Sequence, residues 1–472
     1  MSRSLKMVGV TVVLAGLLAV GGSYAVGVFF KKDFQERVER ANRWLQTRSI
    51  RNIGVQVESY DSGLFSATAR TRVTLESETM LTVKHDIRHG LGTGLASFGT
   101  IHSEVELPQG LSEVARALFG GELFEGKAPF TVDSAIGWTG GKRLRIESPR
   151  FAGKARGVMG IDWGGIDGEI TMDSGHKNIA WRIEAPGLSM TDGKNKVEIG
   201  RLYTTGDTVR PGTRYFRVGQ MELGLDKFVA HMEEGKLRRD FPDPLEMENL
   251  KLSSDIRENG ETIDSALTFS IGKSLTEEVA VDEAKWTFAV ENLDADALDT
   301  LTRIIETSWQ EDGKTLADAL KGQESTLASA LLRHKPVIAL KEASLRLAQG
   351  EFRASARVSY IGENLDLDRF DPERDLAIDV ECSVSRTLLA YLIGLEASKQ
   401  MAIGDAQTEE ALKAFATQFV DQQINELMNK GIFVEKDGLL IATLHFQDKT
   451  LTLNGKPWNE EEAGGLFSGR LP

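Results

Sequence analysis

The sequence has almost no cysteine and little histidine, and this scarcity limits the chemistry that the chain can carry. Of 472 residues, one is a cysteine, Cys382, and seven are histidines. A single cysteine cannot form an intrachain disulfide, and a cysteine-based zinc or iron–sulfur site needs several thiolates. We therefore expect no disulfide, no metal and no cofactor in this chain.

Basic residues and proline are also few. The chain has 56 Lys and Arg against 70 Asp and Glu, a formal charge of −14, and a pI of about 5.2. Binding to nucleic acid needs a concentrated basic surface, which no stretch of the sequence supplies. Only 11 prolines occur beside 47 glycines, and 41% of the residues are hydrophobic. This composition favours short strands, tight turns and a folded core over two or more domains.

Long uncharged runs are absent except at the amino terminus. Residues 7–30 contain no charged side chain and are followed by Lys31 and Lys32. Since about 20 residues of helix cross the hydrocarbon core, this run predicts a single membrane-spanning helix. A signal peptide cleaved after residues 23–25 is the alternative, but the apolar run that continues to Lys31 favours an uncleaved anchor. The short tail, residues 1–6, is then cytoplasmic and the bulk of the chain periplasmic.

Alternation of apolar and polar residues dominates from residue 55 onward and predicts half-buried strands. Two of these strands share the pattern G-x-F-x-A-x-A-R, at residues 63–70 and 350–357. The shared pattern is consistent with an internal duplication or with common strand chemistry. Their apolar members form a candidate binding face; the alternative is that they fill the core between two packed layers. These residues are Phe65, Ala67, Ala69, Phe352, Ala354 and Ala356.

Helical periodicity is rarer and lies mainly late in the chain. Residues 31–54 are expected to form a juxtamembrane helix and linker. Asp294 is placed to cap one helix, and Thr315 to begin another that Gly322 weakens. The most regular apolar stripe covers residues 408–430 and should pack on one face of a sheet.

The predicted fold class is therefore α+β and β-rich. A transmembrane helix precedes long antiparallel sheets with a few packing helices, mainly in the C-terminal part. We divide the body into a β-rich region, residues 55–290, and an α+β region, residues 291–472. Cys382 lies on the apolar side of a predicted strand, as a small buried side chain would.

Short segments that resemble catalytic or metal motifs do not meet the requirements of those motifs. His85 and His89 have zinc-like spacing, but in a strand they stand about 13 Å apart, too far for one metal. Residues 271–274 end like a phosphate-binding loop, yet Leu267 occupies the position of the first glycine. No catalytic residue is predicted, and we expect a protein that is not an enzyme.

Several of these segments together resemble the YdgA-like family of bacterial inner-membrane proteins, a domain of unknown function numbered 945. The matching pieces are the span before Lys31, residues 60–69, residues 85–90 and the closing residues 451–457; Leu91 departs from the proline of the common pattern. The resemblance implies an anchored protein with an extracytoplasmic body, able to dimerise, without an established activity. It assigns no functional residues.

These observations predict a periplasmic envelope protein, anchored in the inner membrane, that acts as a binding or scaffolding factor. A first alternative is a lipid-handling protein with a β-groove that binds phospholipid, by analogy with AsmA-like proteins. A second is a homodimeric assembly protein. A hydrolase with a site built from distant strands is the least favoured.

Overall fold

The computed structural model describes most of the chain after residue 52. Contacts divide it into two compact units: Met1–Leu245 with Asp299–Lys321, and Glu246–Leu298 with Gly322–Pro472. Residue 290, where the sequence analysis divides the chain, lies inside the strand Glu283–Asp294 of the second unit. The described residues are 38–39, 42, 53–62, 66–75, 78–89, 97, 99–106, 123–155, 159–232, 244–276, 279–308, 316–363, 369–401 and 420–458.

Unit 1 is an antiparallel meander built from the alternating strands of the first half. Its first six strands pair in chain order. A short 3-10 turn, Leu123–Gly126, precedes β5. The strands are β1 Ile53–Ser62, β2 Ser66–Leu75, β3 Glu78–His89, β4 Gly99–Glu106, β5 Thr131–Ile136 and β6 Lys142–Ser148.

A line of interruptions then crosses the second part of this sheet. Five long strands are each broken or bent at the same level, which we call the bend line. On one side of it, β6, β9, β10, β13 and the first half of β14 pair with one another. On the other side, β7, β8, β11, β12 and the second half of β14 do so. The strands are β7 Phe151–Ala155, β8 Met159–Trp163, β9 Ile166–Met172, β10 Asn178–Ala185, β11 Leu188–Thr191, β12 Lys196–Ile199, β13 Leu202–Val209 and β14 Val218–His231.

Glycine permits this bend line because the backbones approach closely there. Gly165 has φ +89°, and a Cβ atom on it would lie 2.6 Å from the Ser148 carbonyl oxygen. Gly187 has φ +147° and makes the same approach to the Ile199 carbonyl. Any other residue would meet both a steric clash and an unfavourable backbone angle.

The core of unit 1 lies on the inner face of β1 to β6. Val55, Val73, Val83 and Leu144 are buried there, and Val38 of a short helical stretch packs against them. The amide side chain of Asn42 both donates to and accepts from the backbone of Val55, at 2.7 Å each. Residues 38, 39 and 42 are helical, as predicted for this part of residues 31–54.

Unit 2 is a second antiparallel sheet whose main strands pair in the order β15, β16, β19, β20, β21, β22, β24, β25 and β26. The strands are β15 Leu245–Asn259, β16 Thr262–Ile271, β17 Lys273–Leu275, β18 Ala280–Val281, β19 Glu283–Asp294, β20 Val337–Leu347, β21 Gly350–Tyr360, β22 Leu376–Ser385, β23 Val434–Lys436, β24 Leu439–Gln447, β25 Thr450–Leu453 and β26 Lys456–Pro457.

The helices in the described residues mostly follow residue 294, as predicted. Asp294 begins the first one, since its carboxylate accepts a hydrogen bond from the Ala297 amide at 2.8 Å. The helix expected from Thr315 is in fact two helices, because Gly322 takes a left-handed φ of +81° between them. The helices are α1 Ala295–Ser308, α2 Leu316–Leu320, α3 Glu324–Leu332, α4 Pro372–Asp375, α5 Arg386–Met401 and the helical residues 420–429.

The β-rich, antiparallel prediction with few helices is confirmed. The helix α5 was not predicted, although Ser385 supplies a start signal: its hydroxyl oxygen accepts a hydrogen bond from the Leu388 amide at 3.4 Å. Residues 7–30, the predicted span, lie outside the described residues. Within the part of the chain that the structure describes, no helix combines the length and apolar character needed to cross a bilayer.

Candidate functional site: the apolar face of unit 2

One face of the unit 2 sheet carries apolar side chains across six neighbouring strands. Residues that pair directly across antiparallel strands point to the same side of the sheet. Following the pairing from strand to strand therefore gives one continuous row on this side. The row consists of Leu267, Phe288, Leu340, Ala356, Val380 and Leu444.

Adjacent rows on the same side are also apolar. One joins Val290, Ile338, Val358, Ile378 and Phe446, and another joins Phe269, Trp286, Ala343, Ala354 and Cys382. We call these rows together, with Leu252, which pairs with Phe269, the apolar face. Phe269 and Trp286 stack with ring centroids 5.7 Å apart.

Part of this face is open to solvent. Phe288 is 54% exposed and Ile338 is 64% exposed, and Leu252 and Leu267 are exposed beside them. Isolated exposed apolar residues are common on proteins, but a contiguous apolar patch marks an interaction site.

The opposite side of the same strands carries ion pairs beside small apolar residues that are buried, such as Ala289, Val337 and Ala339. Lys285 and Glu342 lie 2.6 Å apart, Lys341 and Glu291 2.7 Å apart, and His445 lies 2.7 Å from Asp379. The exposure of the apolar face is therefore not a general property of this sheet.

Among the described residues, two helices pack on one end of the apolar side. Leu388 of α5 and Ile424 of the helical residues 420–429 are buried against Val384 and Leu440, and Phe352 packs on this cluster. The rows that contain Phe288 and Ile338 lie beyond it. The helical stripe predicted over residues 408–430 is confirmed from residue 420, and Gly431 follows its end with φ +72°.

The structure places the six predicted face residues in different environments. Phe65 lies outside the described residues. Ala67 and Ala69 are buried in the core of unit 1, with Ile87 and Ile101. Phe352 packs beside the helices, whereas Ala354 and Ala356 lie half-buried on the apolar face.

Sequence reasoning missed the most exposed members of this face. Phe288 lies in the alternating segment from Trp286 to Val290, which predicts a strand but does not show whether its apolar side is covered. Ile338 alternates with buried Val337 and Ala339. The alternating pattern predicts which side of the sheet these two residues lie on. Their exposure depends on how much of that side the helices cover.

Cys382 behaves as a structural residue of this face. Burial raises the pKa of its thiol, more than the backbone hydrogen bond from Ala442 lowers it. A raised pKa reduces the thiolate fraction, which is the nucleophilic form. This agrees with the prediction of a small, unreactive side chain.

A second polar cluster in unit 2 surrounds Asp294. Its buried carboxylate lies 2.9 Å from a guanidinium nitrogen of Arg333 and 3.3 Å from Nε2 of His334. The same carboxylate caps α1, so this cluster holds the helix start to the loop before β20. Among the described residues, no group of three or more His, Cys, Asp or Glu side chains is arranged to hold a metal.

His85, the first histidine of the pair with zinc-like spacing, also has a structural role. His85 is buried between Thr71 Oγ1, at 3.0 Å from Nε2, and Ser103 Oγ, at 2.9 Å from Nδ1. Desolvation lowers its pKa from 6.5 to about 4.

Comparison with known proteins gives the chain a family but no activity. The family described as bacterial protein of unknown function (DUF945) matches residues 1–461. Protein YdgA of Escherichia coli (strain K12) is 22% identical over 508 residues, which cover 99% of this chain and 97% of YdgA. No solved structure matches the chain. The match over nearly the whole length confirms the resemblance found in the sequence, and the chain belongs to the DUF945 family of bacterial proteins.

Proposed function

We propose that this chain is a non-catalytic binding protein of the cell envelope that receives the acyl chains of phospholipids on the apolar face of unit 2. Residues 7–30 anchor it in the inner membrane, and its body lies in the periplasm. The observation that carries the proposal is the solvent exposure of Phe288 and Ile338 within a continuous apolar surface.

The energy available from this surface is sufficient for useful affinity. Covering the exposed 54% of Phe288 removes about 100 Å² of apolar area from water, which contributes about 2.5 kcal/mol. Ile338 contributes a similar amount. An apolar chain that lies across both side chains therefore gains several kcal/mol before the cost of ordering it.

The size of the surface favours a small apolar ligand over a protein partner. Six strands about 4.8 Å apart and three rows about 7 Å apart give a patch of about 600 Å². A stable protein interface buries about 800 Å² on each partner. A homodimer through this face is the second candidate, supported by the same exposed residues and by the absence of charge on them.

Native mass spectrometry of the full-length chain, extracted from membranes in detergent with added phosphatidylethanolamine and phosphatidylglycerol, tests the proposal. We expect phospholipid adducts on the wild type and at least a tenfold lower adduct fraction for the double variant Phe288→Asp, Ile338→Asp. Trp138→Asp is the matched control, because Trp138 is 51% exposed and belongs to unit 1.

Three results would contradict the proposal. Adducts that persist in the double variant would show that lipid binds elsewhere. A wild-type dimer that carries no lipid and dissociates in the double variant would favour the homodimer. Recovery of the wild type in the soluble fraction would contradict the anchor.

A further inference from the structure

Two serine hydroxyls interrupt the apolar face of unit 2 at its margin on β15 and β16. Ser254 pairs directly with Leu267, and Ser265 pairs directly with Val290. Residues that pair across antiparallel strands point to the same side of the sheet, so both hydroxyls lie on the side of the apolar face. Both serines are half-buried, and Leu267 between them is exposed. A ligand that covers this margin therefore meets two polar groups.

The two serines are close neighbours. Ser265 lies opposite Ile256, which is two residues along β15 from Ser254. Such diagonal neighbours on adjacent strands lie about 7 to 8 Å apart. In the part of the chain that the structure describes, neither hydroxyl forms a hydrogen bond with another residue. Both hydroxyls are therefore available to the same ligand.

The other polar hydrogens of the apolar face lie farther away. Among its described side chains they are the indole N–H of Trp286, two strands from Ser254, and the thiol of Cys382, three strands beyond Trp286. The rows of the face contain no charged residue. The serine pair is thus the place where a ligand on this face can form two neighbouring hydrogen bonds.

These hydroxyls discriminate among apolar ligands. A hydrocarbon that covers a hydroxyl removes it from water and offers no hydrogen bond in return, which is unfavourable. A carboxylate or phosphate would have to leave water on an apolar surface without a cationic partner, which is more unfavourable still. An uncharged acceptor avoids both problems. The ester carbonyls of a diacyl glycerolipid are such acceptors, and they stand on adjacent carbons of the glycerol unit.

We propose that Ser254 and Ser265 donate hydrogen bonds to the two ester carbonyls of a diacyl phospholipid whose acyl chains lie on the apolar face. This inference rests on the proposed function and adds the linkage that the site recognises. It also gives the ligand a direction: the glycerol unit lies at β15 and β16, and the acyl chains extend across β19 and β20, over Phe288 and Ile338. Diacylglycerol carries the same pair of esters, so comparing it with a phospholipid separates the two sources.

Titration of the full-length chain in detergent, followed by native mass spectrometry, tests the proposal with two lipids that differ in their linkage. One is dipalmitoyl phosphatidylglycerol, a diester, and the other is its di-O-hexadecyl analogue, in which ethers replace the esters. We expect the wild type to bind the diester at least about tenfold more tightly, because each hydrogen bond contributes about fivefold. Dipalmitoylglycerol in the same titration shows whether the phosphate adds to the affinity.

Matched serine variants locate the two hydrogen bonds. The double variant Ser254→Ala, Ser265→Ala should bind the diester about as weakly as the diether, and its affinity for the diether should not fall below that of the wild type. The control is Ser253→Ala, Ser270→Ala, which makes the same change on the same two strands but on the opposite side of the sheet. The control should retain the preference for the diester. Retained binding of the diether also shows that each variant is folded.

The outcomes separate this inference from the proposed function. Equal affinities of the wild type for the diester and the diether would overturn the inference and leave lipid binding on the apolar face intact. A preference for the diester that persists in Ser254→Ala, Ser265→Ala would also overturn it, since the esters would then be bound elsewhere. Binding of neither lipid would overturn both the inference and the proposed function.

Discussion

His85 should make the stability of unit 1 sensitive to acid, and substitution by glutamine tests this directly. The imidazole is 4% exposed and desolvation lowers its pKa from 6.5 to about 4. In the unfolded chain the same group takes up a proton below pH 6.5. The contribution of neutral His85 to stability is therefore complete above pH 6.5 and is lost as the pH falls from 6.5 to 4.

The magnitude follows from the two pKa values. One pKa unit corresponds to about 1.4 kcal/mol, so a difference of about 2.5 units gives about 3 kcal/mol at full protonation and about 2.5 kcal/mol at pH 4.5. His85→Gln stays neutral and retains a donor and an acceptor for Thr71 and Ser103. We expect its free energy of unfolding to fall by about 2.5 kcal/mol less than that of the wild type between pH 7.5 and pH 4.5.

Hydrogen exchange of the β3 amides, corrected for intrinsic rates at each pH, measures this free energy locally. His102→Gln is the control with the opposite sign. Burial opposes the charge on His102, but hydrogen bonds to Asp133 and Glu104 outweigh it and raise its pKa. His102 therefore stabilises the fold below pH 6.5 and less as the pH rises, so His102→Gln should lose more stability in acid than the wild type. Equal pH dependence of the wild type and His85→Gln would refute the reasoning.

Two further stability predictions follow from single contacts. Asp294→Ala should lower the free energy of unfolding, measured in urea, by about 3 kcal/mol, and Asp294→Asn by about half as much. The reason is that asparagine still caps α1 but cannot neutralise Arg333. An equal loss of stability in the two variants would contradict this. Gly165→Ala should lower the free energy of unfolding by at least about 2 kcal/mol more than Gly193→Ala does. Both glycines have φ near +90°, but only a Cβ atom on residue 165 would lie 2.6 Å from a carbonyl oxygen. Equal thermal midpoints of the two variants would contradict this.

Local sequence patterns were sufficient to predict the strands and several of their ends. Alternation from Phe352 to Tyr360 predicted β21, and the pattern around Cys382 predicted β22, because the two faces of a strand in a half-buried sheet meet different environments. Asp294 predicted the start of α1 through a contact between residues three apart. Such features depend on neighbours along the chain, so the chain alone specifies them.

The accessibility of the apolar residues was decided by tertiary structure. Ala67 and Ala354 belong to the same eight-residue pattern, yet Ala67 is buried among Ile87 and Ile101 while Ala354 lies half-buried on the apolar face. The pattern records only that one side of each strand is apolar. Whether another layer covers that side depends on residues far away in the sequence, such as Val38 in unit 1 and Leu388 in unit 2.

The bend line of unit 1 shows the same division. The sequence by itself determined the alternation of charged and apolar residues along β9 and β10 and the glycines and prolines between strands. Only the register brought Glu169 opposite Arg182 and aligned Gly164 with Pro186 and Gly187. Register is set by pairing over many residues at once, and a shift by a single residue would turn every side chain to the other face. The bend line therefore exists only in the folded sheet.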